Sequence, residues 1–181
     1  MNPLALDAVG VADDGDTFSA EVGPGEDRTL PLPPAWVLVL LGVRRPKRGV
    51  VRIFGVDMHG PGHLARAELA RVAAVADEVG LIGNLTVRDN VALPIRYHRK
   101  LADREVAERV DGLLQRHGLA EQARATIWSL DPEQRRSVAL VRALASEPEL
   151  LVLDPRGGPI EDALVAAVRV RGTIVRLGGR W

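Results

Sequence analysis

DPEQRRSVALVRALASEPELLVLDP, residues Asp131 to Pro155, reads as a capped helix, a tight connection and a buried strand ending on an acid. Asp131 is a good N-cap, because its carboxylate can accept a first-turn N–H. Pro132 suits the first helical position, where an N–H has no intrahelical partner anyway. Gln134 stands three residues after the cap, where a capping-box partner belongs. Pro148 disfavours helical geometry in the residue before it, so the helix should stop near Ser146-Glu147. Leu150-Leu151-Val152-Leu153 is a continuous apolar run, as expected of a parallel strand covered on both faces. Asp154 then falls at the carboxyl end of that strand, where open α/β sheets place their ligands. An ordinary αβ unit with an acidic residue in the next turn would carry the same pattern.

Working outward, residues 4 to 22 alternate weakly around Asp13-Asp14-Gly15-Asp16, which predicts a β-hairpin or two edge strands. Pro24 to Pro34 is rich in proline and glycine and reads as irregular. Ala35 to Gly42 is an apolar run that fits a buried helix or a strand equally. Pro46 to Gly49 reads as a turn, Val50 to Phe54 as a strand, Leu64 to Ala70 as a short helix and Val72 to Ala76 as a core strand. Thr86 should cap a helix through Leu93, with Asp89 as its capping partner. Ala102 to His117 is the clearest amphipathic helix, with Val106, Val110, Leu113, Leu114 and His117 on one face and Gly118 ending it. His117 there reads as a packed residue rather than a ligand. Pro159 to Val168 completes the pattern as a helix and Thr173 to Leu177 as a strand. Strands alternating with helices give an α/β architecture with a helical insert between Thr86 and Leu144.

The chain has 181 residues, enough for one domain with a real core. Hydrophobic residues are 46% and charged residues 27%, a globular balance. The formal net charge is zero, so a basic nucleic-acid surface is not indicated. Arg44-Arg45-Lys47-Arg48 is a local exception and reads as a solvated turn. There are no cysteines, which excludes disulfides, thiolate zinc sites and cysteine nucleophiles. The acidic start has no basic region before an apolar stretch, unlike a signal peptide. The apolar run from Ala35 to Val43 is far too short to span a bilayer. A cytoplasmic chain is expected, with any membrane association going through a partner. His59 and His63 flank Gly60-Pro61-Gly62, whose glycines break the helix that would aim both at one metal. No G-x-S-x-G elbow is present.

The segment from Leu130 to Asp154 resembles the stretch between the signature motif and the Walker B strand of ABC transporter ATP-binding subunits. Leu130-Asp131-Pro132-Glu133-Gln134 stands where that family has LSGGQ, and Leu150 to Asp154 stands at Walker B. Val43 to Asp57 resembles the family's hairpin after its first helix. Leu81-Ile82-Gly83-Asn84-Leu85-Thr86-Val87-Arg88-Asp89-Asn90-Val91-Ala92-Leu93-Pro94 resembles the segment after the Q-loop, in wording that leans toward the Mla-type lipid-transport group. The resemblance covers about residues 4 to 155. It implies an α/β fold: a truncated P-loop NTPase (ABC ATPase-like) core with an N-terminal β-subdomain and a helical insert. It implies one degenerate nucleotide-binding domain over 1–181, with a β-rich part and altered phosphate loop at 1–60, a helical insert at 86–146, and the Walker B strand with a shortened end at 147–181.

Against that family the chemistry is depleted. The family cradles ATP with G-x-x-x-x-G-K-[ST], using backbone N–H groups, a lysine and a magnesium-binding hydroxyl. Here Arg28-Thr29-Leu30-Pro31-Leu32-Pro33-Pro34-Ala35-Trp36 stands in its place, without glycine or lysine. Its three prolines remove three donors. The catalytic glutamate position after Asp154 is Pro155, which cannot orient water. Asp77 occupies the Q-loop glutamine's place. In the signature, Asp131, Pro132 and Glu133 replace a serine and two glycines that receive a γ-phosphate, and two carboxylates there repel one. No histidine lies beyond Asp154 to serve as the H-loop.

The resemblance therefore implies no catalytic residue and a vestigial nucleotide set of Asp154, Asp77 and Gln134, with Asp154 as a weak magnesium ligand. It implies a permease-docking set of Leu81, Leu85, Val87 and Val91. The expected function is a hydrolysis-deficient ATP-binding-subunit homologue, a structural or regulatory partner of a membrane permease, with a leaning to lipid transport. No cofactor is expected to bind tightly and no nucleic acid is expected as a partner. The location expected is the cytoplasmic side, peripheral to the inner face of the membrane. One alternative is a subunit contributing to a composite ATP and magnesium site with a homologous ATP-binding subunit; another is a decayed paralogue without function.

Overall fold

The structure, a computed structural model, describes residues 1–10, 17–60, 68–76, 80–98, 101–154 and 172–178. The chain forms two compact units, Met1–Glu78 with Pro148–Trp181, and Val79–Glu147. The first holds two sheets. One is antiparallel, built from β1 (Leu4–Gly10), β2 (Phe18–Val22), β4 (Arg48–Ile53) and β5 (Val56–Asp57) in the order β2-β1-β4-β5. The other is parallel, built from β3 (Asp27–Leu30), β6 (Val72–Val75), β7 (Leu150–Leu153) and β8 (Thr173–Leu177) in the order β3-β8-β7-β6. The α/β fold class predicted from sequence is therefore present.

The apolar run Leu150–Leu153 is β7, inside the parallel sheet, with every residue at most 1% exposed. A strand buried on both faces needs no alternation, which is why the run is continuous. The expected hairpin is present, but only β2 lies at an edge, because β1 pairs with β4 on its other side. Ala35 to Gly42 resolves toward helix: a 3-10 turn at Pro34–Trp36 leads into the four-residue α1 (Val37–Leu40).

The irregular reading of Pro24 to Pro34 is corrected by β3. Asp27–Leu30 pairs in parallel with β8, from the far end of the chain. Only Leu30 of the four is buried, so no alternation marks the strand. What makes it a strand is non-local. The Arg176 guanidinium donates to both Asp27 carboxylate oxygens at 2.9 and 3.1 Å, and Gly25 N–H donates to Thr173 Oγ1 at 2.9 Å.

At the opposite, amino end of β6, Arg71 closes the sheet's lower edge. Its guanidinium donates to both Glu149 carboxylate oxygens, at 2.8 and 2.7 Å, and also to Glu68. It lies 3.6 Å from the Phe54 ring centroid. The Glu149 hydrogen bond, above all, holds Arg71 charged, and Arg71 in turn pulls the Glu149 carboxyl below its usual range.

The second unit packs α2 (Val87–His98), α3 (Asp103–Arg116) and α4 (Pro132–Ala145) around one apolar core. The starts of α2 and α4 follow from side-chain caps. Thr86 Oγ1 accepts from Asp89 N–H at 3.1 Å and donates to the Asp89 carboxylate at 2.6 Å. The N–H groups of Val87 and Arg88 donate to Ala125 and Ala123 carbonyls at 2.9 and 3.0 Å. The expected end of α2 at Leu93 is corrected, since the helix continues through Pro94 to His98. Pro94 removes one N–H, but Ile95 in the following turn is 1% exposed in the core. Burial of that side chain, about 2 kcal/mol, opposes the break. Gly118, at φ 68°, ends α3 as predicted. Its N–H donates to Gln115 and that of Leu119 to Leu114, the paired closure typical of a left-handed glycine. His117 is half-buried, and burial first, then the Arg116 charge, lowers its pKa. The expected helix at Pro159 to Val168 lies outside the described residues, as does most of Leu64 to Ala70.

Candidate functional site

Asp154 continues the ladder one step past β7, its N–H donating to Val75 carbonyl at 2.9 Å. It is 5% exposed. The sequence expectation that an acid sits at the carboxyl end of a buried central strand is thus met in geometry. Asp77, Pro155 and His63 lie outside the described residues. Among the described residues no three His, Cys, Asp or Glu side chains cluster as metal ligands.

A phosphate cradle in this topology would occupy the connection from β3 to α1. That connection is Pro31-Leu32-Pro33 followed by the 3-10 turn. Prolines 31, 33 and 34 have no N–H. Leu32 N–H donates to Leu30 carbonyl at 2.8 Å and Trp36 N–H to Pro33 carbonyl at 3.0 Å. The side chains of Leu32 and Trp36 are turned into the protein, at 2% and 6% exposure. Three backbone donors of this connection are thus missing, those of Leu32 and Trp36 are already used, and residues 28–36 hold no lysine. α1, with four residues, adds no appreciable dipole.

At the signature position the local chemistry has a different use. Gln134 N–H donates to Asp131 Oδ1 at 2.8 Å, and Asp131 N–H donates to Gln134 Oε1 at 3.2 Å. Both residues of the reciprocal cap are engaged with each other. Leu130 is buried, while Asp131, Pro132 and Glu133 are exposed. Arg135 adds a brace, its Nε and Nη2 donating to Ile127 and Trp128 carbonyls at 3.1 Å each. The helix start is a well-made cap with carboxylates on its outer side.

The docking set divides. Val87 and Val91 are 0% exposed, inside the core of the helical unit, and present no surface to a partner. Leu81 and Leu85 are half-buried. Two residues the sequence reading passed over are better placed. Ile82 is 43% and Trp128 74% exposed, and the Trp128 indole lies directly over Gly83, where an added Cβ would meet it at 2.6 to 2.8 Å.

Asn90, also passed over, organises this loop. It is 0% exposed, accepts from Ile82 N–H at 2.8 Å and donates to the carbonyls of Ile82 and Thr86 at 3.0 Å each. A buried amide with its groups satisfied fixes the loop in one shape. The sequence signal was available: Asn90 shares the apolar face of α2 with Val87 and Val91, where a polar residue needs partners.

Comparisons with known proteins give the family and the fold. The family model described as ABC transporter matches residues 36–155, beginning after the proline segment. Nod factor export ATP-binding protein I of Azorhizobium caulinodans is 34% identical over 116 residues, 64% of this chain and 35% of that protein. Taurine import ATP-binding protein TauB of Pseudomonas aeruginosa is 35% identical over 123 residues, 68% of this chain and 44% of that protein. Methionine import ATP-binding protein MetN 1 of Pseudomonas putida is 27% identical over 171 residues, 93% of this chain and 48% of that protein. The chain thus spans about a third to a half of the length of these relatives. A solved dimeric post-hydrolysis state of the ATP-binding cassette MJ0796 bound to ADP and Pi superposes with a TM-score of 0.83. It covers 98% of this chain and 88% of its own, at 19% identity, which is likeness of fold alone.

Proposed function

This chain belongs to the ABC transporter family, and from that premise we propose that it is an ATP-binding-subunit homologue without a working triphosphate site. It acts as a structural or regulatory partner of a membrane permease. The single observation that carries this reading is the β3–α1 connection, where prolines and internally bonded N–H groups stand at the cradle's place. Phosphoryl transfer is positioning plus electrostatic stabilisation, so loss of the cradle removes most of the reaction's means. Pro155 in the catalytic glutamate's position removes the water-orienting carboxylate as well.

What supports retained docking is the care with which the Ile82–Thr86 loop is built, with Asn90 beneath it and Trp128 beside it. We assign the permease contact to Leu81, Ile82, Leu85 and Trp128, with Val87 and Val91 acting from the core beneath. No helix among the described residues is long and apolar enough to cross a membrane. The leaning to lipid transport rests on the wording of Leu81 to Pro94. A second reading, a composite ATP site with a homologous subunit, is favoured by Asp154, which keeps its place at the end of β7. Against it stands the signature cap, whose outer carboxylates would face the partner's ATP.

The test is affinity purification of the tagged chain from detergent-solubilised membranes, with ATPase activity measured with and without this chain. A polytopic permease should co-purify. Ile82→Arg should reduce its recovery about 10-fold or more without changing the melting temperature. Unchanged recovery would remove the docking assignment, and ATPase activity that depends on this chain would favour the composite site.

A further inference from the structure

Most arginines among the described residues have a carboxylate or carbonyl partner. Arg52 pairs with Asp7, Arg88 with Asp111, Arg104 with Glu108, and Arg109 with Glu147. Arg44, Arg45 and Arg48 are different. All three are exposed, lie within five residues of one another, and make no ion pair or side-chain hydrogen bond with any of the described residues. Their backbone is firmly held. Val43 and Arg44 N–H groups both donate to Leu38 carbonyl at 2.9 Å, Gly42 turns the chain at φ 70°, and Lys47 N–H donates to Gly10 carbonyl at 2.8 Å. At the front of this cationic loop Val43 stands 72% exposed.

We propose that residues 43–48 form an interfacial contact for an anionic bilayer surface, with Arg44, Arg45 and Arg48 on lipid phosphates and Val43 at the acyl boundary. Three guanidiniums without an ionic partner among the described residues, in a chain of zero net charge, concentrate positive potential at one place. The neighbour of those charges decides the partner's class. Single-stranded nucleic acid takes aromatic platforms for its bases, and no aromatic residue lies in this loop. An exposed aliphatic side chain among cations is instead the arrangement that binds a lipid headgroup layer. The loop belongs to the first unit, and the residues assigned above to the permease belong to the second.

Vesicle co-sedimentation of the purified full chain tests this without any permease. Vesicles with about 30% phosphatidylglycerol in phosphatidylcholine should bind the chain, and phosphatidylcholine alone should not. Each arginine near such a surface is worth about 5-fold in partitioning, so Arg44→Gln, Arg45→Gln and Arg48→Gln together should weaken binding roughly 100-fold. Their melting temperature should match the parent's, since none has a partner among the described residues. Raised salt should release the parent. Absence of binding, full binding by the triple variant, or binding of an RNA oligonucleotide in place of vesicles would each overturn the proposal. So would competition by inorganic phosphate beyond the effect of its ionic strength.

Discussion

Val91→Asp should unfold the helical unit. Val91 is 0% exposed and sits with Val87 and Ile95 on the face of α2 that joins the core of α3 and α4. An ionised carboxylate there has no cation to meet within that apolar cluster, and a protonated one still loses its water. Either way the cost is about 4 kcal/mol or more. That is a large part of a typical domain's stability of about 5 to 15 kcal/mol. Urea unfolding should show a lower midpoint, and limited proteolysis should cut within 79–147 before the parent is cut. A midpoint within the error of the parent's would mean Val91 is not core. The residue therefore reports on folding, and loss of permease binding in this variant would say nothing about contact.

Gly49→Ala should be nearly as damaging, for a reason of backbone geometry. Gly49 opens β4 opposite the bulge of β1, where the register shifts between Asp7 and Gly10 and Ala8 takes φ 46°. Gly49 itself has φ 75°, a conformation that costs a side-chain-bearing residue about 1 kcal/mol or more. A Cβ there would also lie 2.2 Å from Asp7 carbonyl oxygen and 2.3 Å from that of Ala8. Those atoms are backbone and cannot swing aside, so the bulge must move. A total loss of about 3 kcal/mol is expected, read as a lower denaturation midpoint. Gly112, which has open space around its Cβ direction and lies inside α3, is the control: alanine there should stabilise by about 0.5 to 1 kcal/mol. Equal effects at the two glycines would contradict the geometry.

What could be read from the chain in advance was the part set by local rules. Asp131, Pro132 and Gln134 formed the cap their types predict, Thr86 with Asp89 did likewise, and Leu150 to Leu153 became a doubly buried strand. Where the reading went astray, long-range contact decided. β3 is a strand because β8 returns to pair with it, and α2 passes Pro94 because Ile95 belongs to a core assembled from three helices. Within the proposed docking set, burial separates Val87 and Val91 from Leu81 and Leu85. Periodicity marks Val87 and Val91 as one face of a helix without saying whether that face looks inward or out. The place of Trp128 over Gly83 could not be read in advance because the two are far apart in sequence. For the depleted phosphate loop, composition was informative in itself, since proline's missing N–H needs no fold to be known.

The most direct measurement is a melting curve of the purified chain with increasing Mg-ATP against magnesium chloride at matched ionic strength. A native-state ligand at about 100 times its Kd adds about 2.7 kcal/mol, which raises the melting temperature of a chain this size by about 5 to 10 °C. With the β3–α1 connection closed by Pro31, Pro33 and Pro34, the expected result is no displacement beyond about 1 °C at millimolar nucleotide. A rise that saturates with nucleotide concentration would contradict the absence of a triphosphate site.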